Sequence, residues 1–366
     1  MTRLTIDGSR SRLRHFEGKR VLITGGTGSL GKTLVRRFLE GKDGNPAKII
    51  VLSRDEAKQH LMRMEYQHRI AATDEIIYRN FQEKLEFRIG DVRDPHTIAQ
   101  ALHSVDIVFN AAALKQVPTC EYFPYEAVQT NVGGPENIVR AIQEHHLRID
   151  TVVGVSTDKA CKPVNAMGMT KALQERVFIQ ANIRCPDTRF ICVRYGNVLA
   201  SRGSVIPLFH DQIRHGGPVT ITTSEMTRFL LSLDNAVDTI FAAVREGLPG
   251  ETYVPRVPSA LVVNLAKALI DGRAIEMRNA GIRPGEKVHE ILISEEEANR
   301  SIARDSYYVI LPMLPELRNE HSGSPCLSRQ YSSADNLMTL EETASMLRKQ
   351  GLMLENVHDE IAEVLR

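Results

Sequence analysis

Residues Lys19–Glu40 read KRVLITGGTGSLGKTLVRRFLE. RVLIT is an apolar strand. It runs without a spacer into GGTGSLG, where Gly25, Gly28 and Gly31 make GxxGxxG. From about Ser29 to Glu40, Leu30, Leu34, Val35, Phe38 and Leu39 recur at helical spacing. Side chains at the three glycines would block close approach of backbone to a diphosphate. The helix N-terminus then faces that diphosphate with unpaired N–H groups and a partial positive charge. Strand, glycine triplet and helix in this order predict a dinucleotide-binding turn lined by Gly25, Thr27, Gly28, Ser29, Leu30 and Gly31.

Working outward, the next strand is KIIVL, Lys48–Leu52. The residues at its end distinguish the two nicotinamide dinucleotides. An acid there bonds a ribose 2′-hydroxyl, and a cation pairs with a 2′-phosphate. Ser53 and Arg54 occupy the position, Lys58 follows, and Asp55 comes late for the acidic role. This favours NADP over NAD. Leu85–Ile89 is a third strand. Asp91 and Val92 after it are placed to meet the adenine end. Asp106–Asn110 is a fourth, ending in Asn110-Ala111-Ala112, where small residues let ribose and nicotinamide lie against backbone. Asn131 is expected to cap or brace the helix read over 132–146. Thr151–Val155 and Phe190–Tyr195 are two more strands. Repeated βα units of this kind predict an α/β fold with a doubly wound parallel sheet.

The fifth strand leads into STDKACKPVNAMGMTK, residues 156–171. Ser156, Thr157, Asp158 and Lys159 fall at its carboxyl end, where such sheets place their chemistry. A helix follows from about Met167, and Lys171 stands one turn further on the same face. A hydroxyl, a carboxylate and two amines can supply an acid, a base and a positive field.

Composition narrows the class. The chain has 366 residues, 42% hydrophobic and 25% charged, with a formal net charge of +1. No basic excess argues for nucleic acid. The five cysteines are scattered, with no CxxC pair, so neither a metal site nor a disulfide framework is expected. No apolar signal core and no run of about 18 apolar residues occurs, which predicts a cytoplasmic protein without membrane insertion.

After Tyr195 the texture changes to loops, short strands and helices, with a helix near 205–215, a strand Val219–Thr222 and helices over 234–246, 261–270 and 340–350. TGGTGSLG, Asp91-Val92, Asn110-Ala111-Ala112 and the Lys171 helix resemble the extended short-chain dehydrogenases/reductases. STDKA (156–160), RYGNV (194–198), SRGSVIPLF (201–209), MTRF (226–229) and IRPGEKVHE (282–290) are similar to the UDP-N-acetylglucosamine 4,6-dehydratases of bacterial glycan and capsule synthesis. The likeness runs from about Gly18 to about residue 310. One position departs: the tyrosine usual four residues before the lysine is Met167, whose thioether has no proton to exchange. Some branches of that family similarly carry methionine there.

The resemblance implies a Rossmann domain over 18–196 and 234–258, interleaved with a nucleotide-sugar lobe over 197–233 and 259–366. It implies removal of hydride from sugar C4, loss of the C5 proton and the 6-hydroxyl, and return of hydride to C6. The product is a UDP-4-keto-6-deoxy-N-acetylhexosamine, with C5 configuration retained or inverted. By family position Asp158 is the acid at the 6-hydroxyl and the first proton acceptor, Lys159 the C5 base, and Thr157 a bond to the 4-oxygen. Lys171 holds the nicotinamide ribose and, as a nearby cation, is expected to push Lys159 toward its neutral form. Arg202, Arg228, Arg283 and Lys287, with Asn197 and Glu286, are candidates for the UDP portion, and Lys115 reaches the substrate from across the cleft. A homo-oligomer, dimer or hexamer, is also implied. Two other readings stay open: a UDP-sugar C4-epimerase, which needs no acid at C6, and a non-catalytic dinucleotide sensor.

Overall fold

In the computed structural model, the residues described are 15–67, 81–199, 204–318 and 323–356. Six parallel strands lie in the order 3-2-1-4-5-6: β1 Arg20–Thr24, β2 Lys48–Ser53, β3 Leu85–Ile89, β4 Ile107–Asn110, β5 Thr151–Thr157 and β6 Arg189–Tyr195. The doubly wound sheet expected from the sequence is therefore present. The order reverses beside β1, which puts the cleft for a dinucleotide at the carboxyl ends of β1 and β4.

The central strands β1, β2 and β4 read as near-continuous apolar runs because helices cover both sheet faces, whereas the edge strand β3, LEFRI, is only partly buried. Successive side chains point to opposite sides. Val21, Ile23, Ile49, Val51 and Phe109 pack with Leu34, Phe38 and Phe241. Their neighbours Leu22, Ile50, Leu52 and Val108 pack on the other face with Ile98, Ile138, Ile142 and Phe178. Phe16, Phe38, Phe109 and Phe241 form an aromatic cluster with ring centroids 4.8–6.4 Å apart.

Thr252–Pro255 continues the sheet in parallel beside β6. Tyr307–Ile310 and Ser301–Arg304 then add two antiparallel strands, although they lie in the span read as the sugar lobe. A separate core is enclosed by helices Val205–Arg214, Val262–Ile270 and Leu340–Lys349 around Phe209, Ile213, Leu265, Leu269 and Leu347. Strand Thr227–Leu231 pairs with Ser259–Leu261 and, on its other side, with Asn197–Val198.

The sequence reading missed helical structure over 117–133. Val117–Tyr122 and Pro124–Val128 are short helices, each with proline in its first turn, where a missing N–H costs nothing. A π-turn, Gln129–Gly133, joins them to the helix Gly134–Glu144. None of the helices among the described residues is long and apolar enough to cross a membrane.

Candidate active site

The glycine-rich turn has the geometry a diphosphate needs. Gly25 sits at φ +66°, and a Cβ there would lie 2.8 Å from the Cα of Ala112. A Cβ on Gly31 would lie 2.4 Å from the Cα of Gly26. Both are backbone clashes that no rotamer change relieves. The helix Ser29–Glu40 starts at Gly28 with no side-chain cap and no acid in its first turn. Its first N–H groups therefore keep their positive field for an anion. Thr24 Oγ1 donates to Asn110 Oδ1 (2.9 Å) and accepts from Ala112 N–H (3.2 Å), locking β1 to β4 at the floor of the cleft.

At the β2 edge, Thr27 and Ser53 share a hydroxyl hydrogen bond of 2.9 Å. Lys58 pairs with Asp55 at 2.5 Å. Asp91, placed by the sequence to meet the adenine end, is held by Arg93, whose Nη2 and Nε lie 2.7 and 2.9 Å from Oδ2. Burial raises the Asp91 pKa, but Arg93 outweighs it and leaves the carboxyl below its ordinary value. Arg54 touches Asp91 only at 3.5 Å and is half exposed, so its guanidinium is available to a 2′-phosphate. Val92 is buried against Gly134. Ala111 flanks the Gly25 turn. The residues present fit a dinucleotide.

Lys171 is buried on the helix Ala166–Arg184. Its Nζ donates to Val155 O and to Gln174 Oε1, both at 2.5 Å, and Gln174 Nε2 also donates to Val155 O. Burial pushes its pKa down to about 8. Met167 is buried with Cys120 and Ala127, among Leu114, Val117 and Ala166. Asn131, expected at a helix cap, braces the loop after β4 instead. Its Oδ1 accepts from Leu114 N–H, and its Nδ2 donates to Leu114 O and Thr170 Oγ1. Lys115 is exposed in that loop.

The 157–160 turn is the centre of the site. Thr157 Oγ1 donates to Asp158 Oδ1 at 2.8 Å, and Lys159 Nζ reaches the same oxygen at 3.0 Å. Asp158 is fully buried, yet its Oδ2 finds no hydrogen-bond partner among the described residues. Two glycines make this packing possible. A Cβ on Gly168 would lie 2.3 Å from Lys159 O, and one on Gly196 would lie 2.5 Å from the Phe229 side chain and 3.4 Å from Asp158 Oδ2.

A segment far along the chain closes over the turn. Asn165 Nδ2 donates to Gly285 O at 2.7 Å, Lys287 Nζ to Cys161 O at 2.6 Å, and Thr227 N–H to Val288 O at 3.0 Å. These bonds set Glu290 against Lys159, with Oε1 at 3.5 Å from Nζ. Arg228 is buried beside them, 3.9 Å from Glu290 Oε1, and donates to Thr227 O and Val288 O. One oxygen each of Asn197, Glu286 and Glu290 is buried without a partner among the described residues, like that of Asp158. Arg283 is exposed, and Arg202 lies outside the described residues.

The charge state of Lys159 corrects the sequence reading. Burial penalises its ammonium, but Asp158 and Glu290 together outweigh burial and hold the pKa above the ordinary lysine value, against a smaller opposing push from Arg228. Lys171, expected to neutralise it, is tied to Val155 O and takes no part.

The sequence reading also missed a buried ion cluster behind the turn. Arg194 pairs with Glu175 (2.6 Å) and Glu297 (2.7 Å), and Ser156 Oγ donates to Glu175 at 2.5 Å. An arginine inside the apolar run FICVRY was the available signal, since a buried cation needs partners. Glu290 ends the IRPGEKVHE segment, and nothing in its local sequence points to Lys159.

Residues 21–312 match the family described as polysaccharide biosynthesis protein. A protein of Rickettsia typhi named UDP-glucose 4-epimerase is 46% identical over 300 residues, covering 81% of this chain and 83% of that protein. The X-ray structure of Pen from Bacillus thuringiensis superposes with a TM-score of 0.82 at 31% identity, covering 92% of this chain and 99% of that one. The dTDP-glucose 4,6-dehydratase DesIV from Streptomyces venezuelae, solved with NAD and TYD bound, shares the fold at 23% identity. Its TM-score is 0.61, over 74% of this chain and 86% of that one.

Proposed function

The chain belongs to the polysaccharide biosynthesis protein family, and from that premise we propose that it is a nucleotide-sugar enzyme catalysing NADP-dependent 4,6-dehydration of UDP-N-acetylglucosamine. The observation that carries this reading is the Asp158–Lys159 couple, a buried carboxylate on a partly buried amine, with one carboxylate oxygen left without a hydrogen-bond partner among the described residues. Removing water from C6 needs an acid there and a base at C5. Moving hydride off and back onto C4 needs neither.

A nicotinamide dinucleotide, when bound, supplies the acceptor and later the donor of the hydride that leaves C4 and arrives at C6. The Gly25–Gly31 turn, Ser53, Arg54 and Lys171 would hold it. The protein's own groups handle the protons. Asp158 takes the 4-hydroxyl proton in place of the absent phenol, and Thr157 orients the 4-oxygen. Asp158 then gives that proton to the 6-hydroxyl, which leaves as water. Protonating Asp158 removes the nearest anion from Lys159 and moves it toward the free amine that the C5 proton requires. Lys159 loses its ammonium proton to solvent in that state, takes the C5 proton and later returns it to C5, and regains its own proton from solvent at the end of the cycle, so the balance is the loss of one water. Asn197, Arg228 and Glu286 face the rest of the nucleotide sugar.

The name carried by the Rickettsia relative favours a second reading, C4-epimerisation of a UDP-sugar. Incubation with UDP-N-acetylglucosamine followed by mass analysis separates them. A dehydratase product is lighter by one water, and an epimerase product has unchanged mass. Unchanged mass with altered C4 configuration would overturn the dehydratase reading.

A further inference from the structure

We infer that Glu290 is a positioning residue for Lys159: from the segment that closes over the 157–160 turn, it supplies the second anion that pins the amine in place opposite Asp158. The inference deepens the proposed function and rests on its reading of Lys159 as a proton carrier.

The geometry is that of a clamp. Lys159 Nζ lies between Asp158 Oδ1 at 3.0 Å and Glu290 Oε1 at 3.5 Å. The Glu290 side chain is 3% exposed. Its backbone is fixed on both sides by Ser333, whose N–H donates to Glu290 O (2.8 Å) and whose Oγ accepts from Glu290 N–H (2.9 Å). A buried carboxylate without compensation would be costly, so Glu290 needs a cation. Two are near. Arg228 approaches only to 3.9 Å and spends its Nη1 on two carbonyls, whereas Lys159 is closer. Oε2 of Glu290 has no partner among the described residues, so its charge is not dispersed into other hydrogen bonds.

The charged groups facing Lys159 are Asp158 from its own turn, Glu290 and Lys287 from the closing segment, and Arg228 from the strand Thr227–Leu231. When Asp158 is protonated, Glu290 is the one anion of this set left on the amine. It then decides how far Lys159 goes toward the neutral form, and so the pH at which Lys159 becomes a base.

The test reads Lys159 directly. Competitive acetylation with acetic anhydride across pH, with peptide mass mapping, gives the titration midpoint of Lys159 in the full-length protein without any turnover. In Glu290→Gln the midpoint should move to lower pH by roughly 1–3 units, the span a neighbouring charge commands. Glu290→Asp, which keeps the charge at greater distance, should give a smaller shift in the same direction. It also serves if the glutamine variant does not fold. An unchanged midpoint in either folded variant overturns the inference. In the dehydration assay, the limb of kcat that rises with pH should move acid-ward in Glu290→Gln. A uniform fall in kcat without that movement marks a merely structural role and also overturns it. A wild-type protein inert toward UDP-N-acetylglucosamine would sink the proposed function, while the acetylation midpoints would still decide the role of Glu290.

Discussion

Replacing Lys171 with methionine should remove from the free protein's stability a pH dependence that measures the burial of one charge. Lys171 is buried, and its pKa is depressed to about 8 by that burial. In the unfolded chain the same amine titrates near 10.4. The sign follows from proton binding. Below pH 8 both states carry the proton, and the folded state bears the whole cost of a buried ammonium. Between the two pKa values the unfolded state binds one proton more, so wild-type stability rises with pH. Above the unfolded pKa the penalty is gone. At 1.36 kcal/mol per unit, the wild type should recover about 2.5 kcal/mol between pH 7 and pH 10 from this group. Lys171→Met lacks the group and should lack that slope. The variant also strands Gln174 Oε1, which loses its donor, and leaves Val155 O with the Gln174 Nε2 donor alone of the two side-chain donors. That loss is a constant offset of about 1–3 kcal/mol per group, and it cancels when the two pH values are compared. Urea unfolding of both proteins without dinucleotide gives the comparison. The difference in unfolding free energy, variant minus wild type, should fall by about 2.5 kcal/mol from pH 7 to pH 10. A difference that stays flat across this range would show that Lys171 is not buried as an ammonium, and the argument for its environment would fail.

Asp158→Asn should lower turnover of UDP-N-acetylglucosamine by roughly 10²–10⁴-fold while leaving dinucleotide affinity unchanged, and normal turnover would remove Asp158 from the chemistry. Met167→Leu should keep activity within about threefold of wild type, because the side chain only fills an apolar pocket beside Cys120 and Ala127 and a volume-conserving swap there is tolerated. A large loss would mean the thioether does more than pack. Arg54→Ala should weaken NADP binding by roughly tenfold and leave NAD binding alone, since only the 2′-phosphate would meet that guanidinium, and equal losses for both would refute the NADP preference. Arg194→Met should destabilise the fold by about 3–5 kcal/mol, read by urea unfolding at pH 7, because Glu175 would be left buried without its arginine and Glu297 with only Arg300 at 3.6 Å.

What the sequence made legible is what depends on neighbours along the chain. The β1 turn is written in glycines because only backbone contact is possible at Gly25 and Gly31, and the clash distances there are backbone to backbone. β1, β2 and β4 were readable because a strand covered on both faces is apolar nearly throughout. The charge on Lys159 was not readable in this way. Its local sequence offers Asp158 on one side and, one helical run later, Lys171, which invites the idea of a lysine neutralised by a second cation. In the fold, Lys171 turns onto Val155 O, and the group that faces Lys159 is Glu290, brought in by a loop anchored at Asn165, Cys161 and Thr227. The field at the amine is therefore set by the turn and the closing segment together, Asp158 supplying the nearer anion and Glu290 the second. It follows that two chains with the same STDKA turn and different residues at the Glu290 position should hold that lysine in different protonation states. A motif match at the turn alone therefore does not define the proton chemistry of the site.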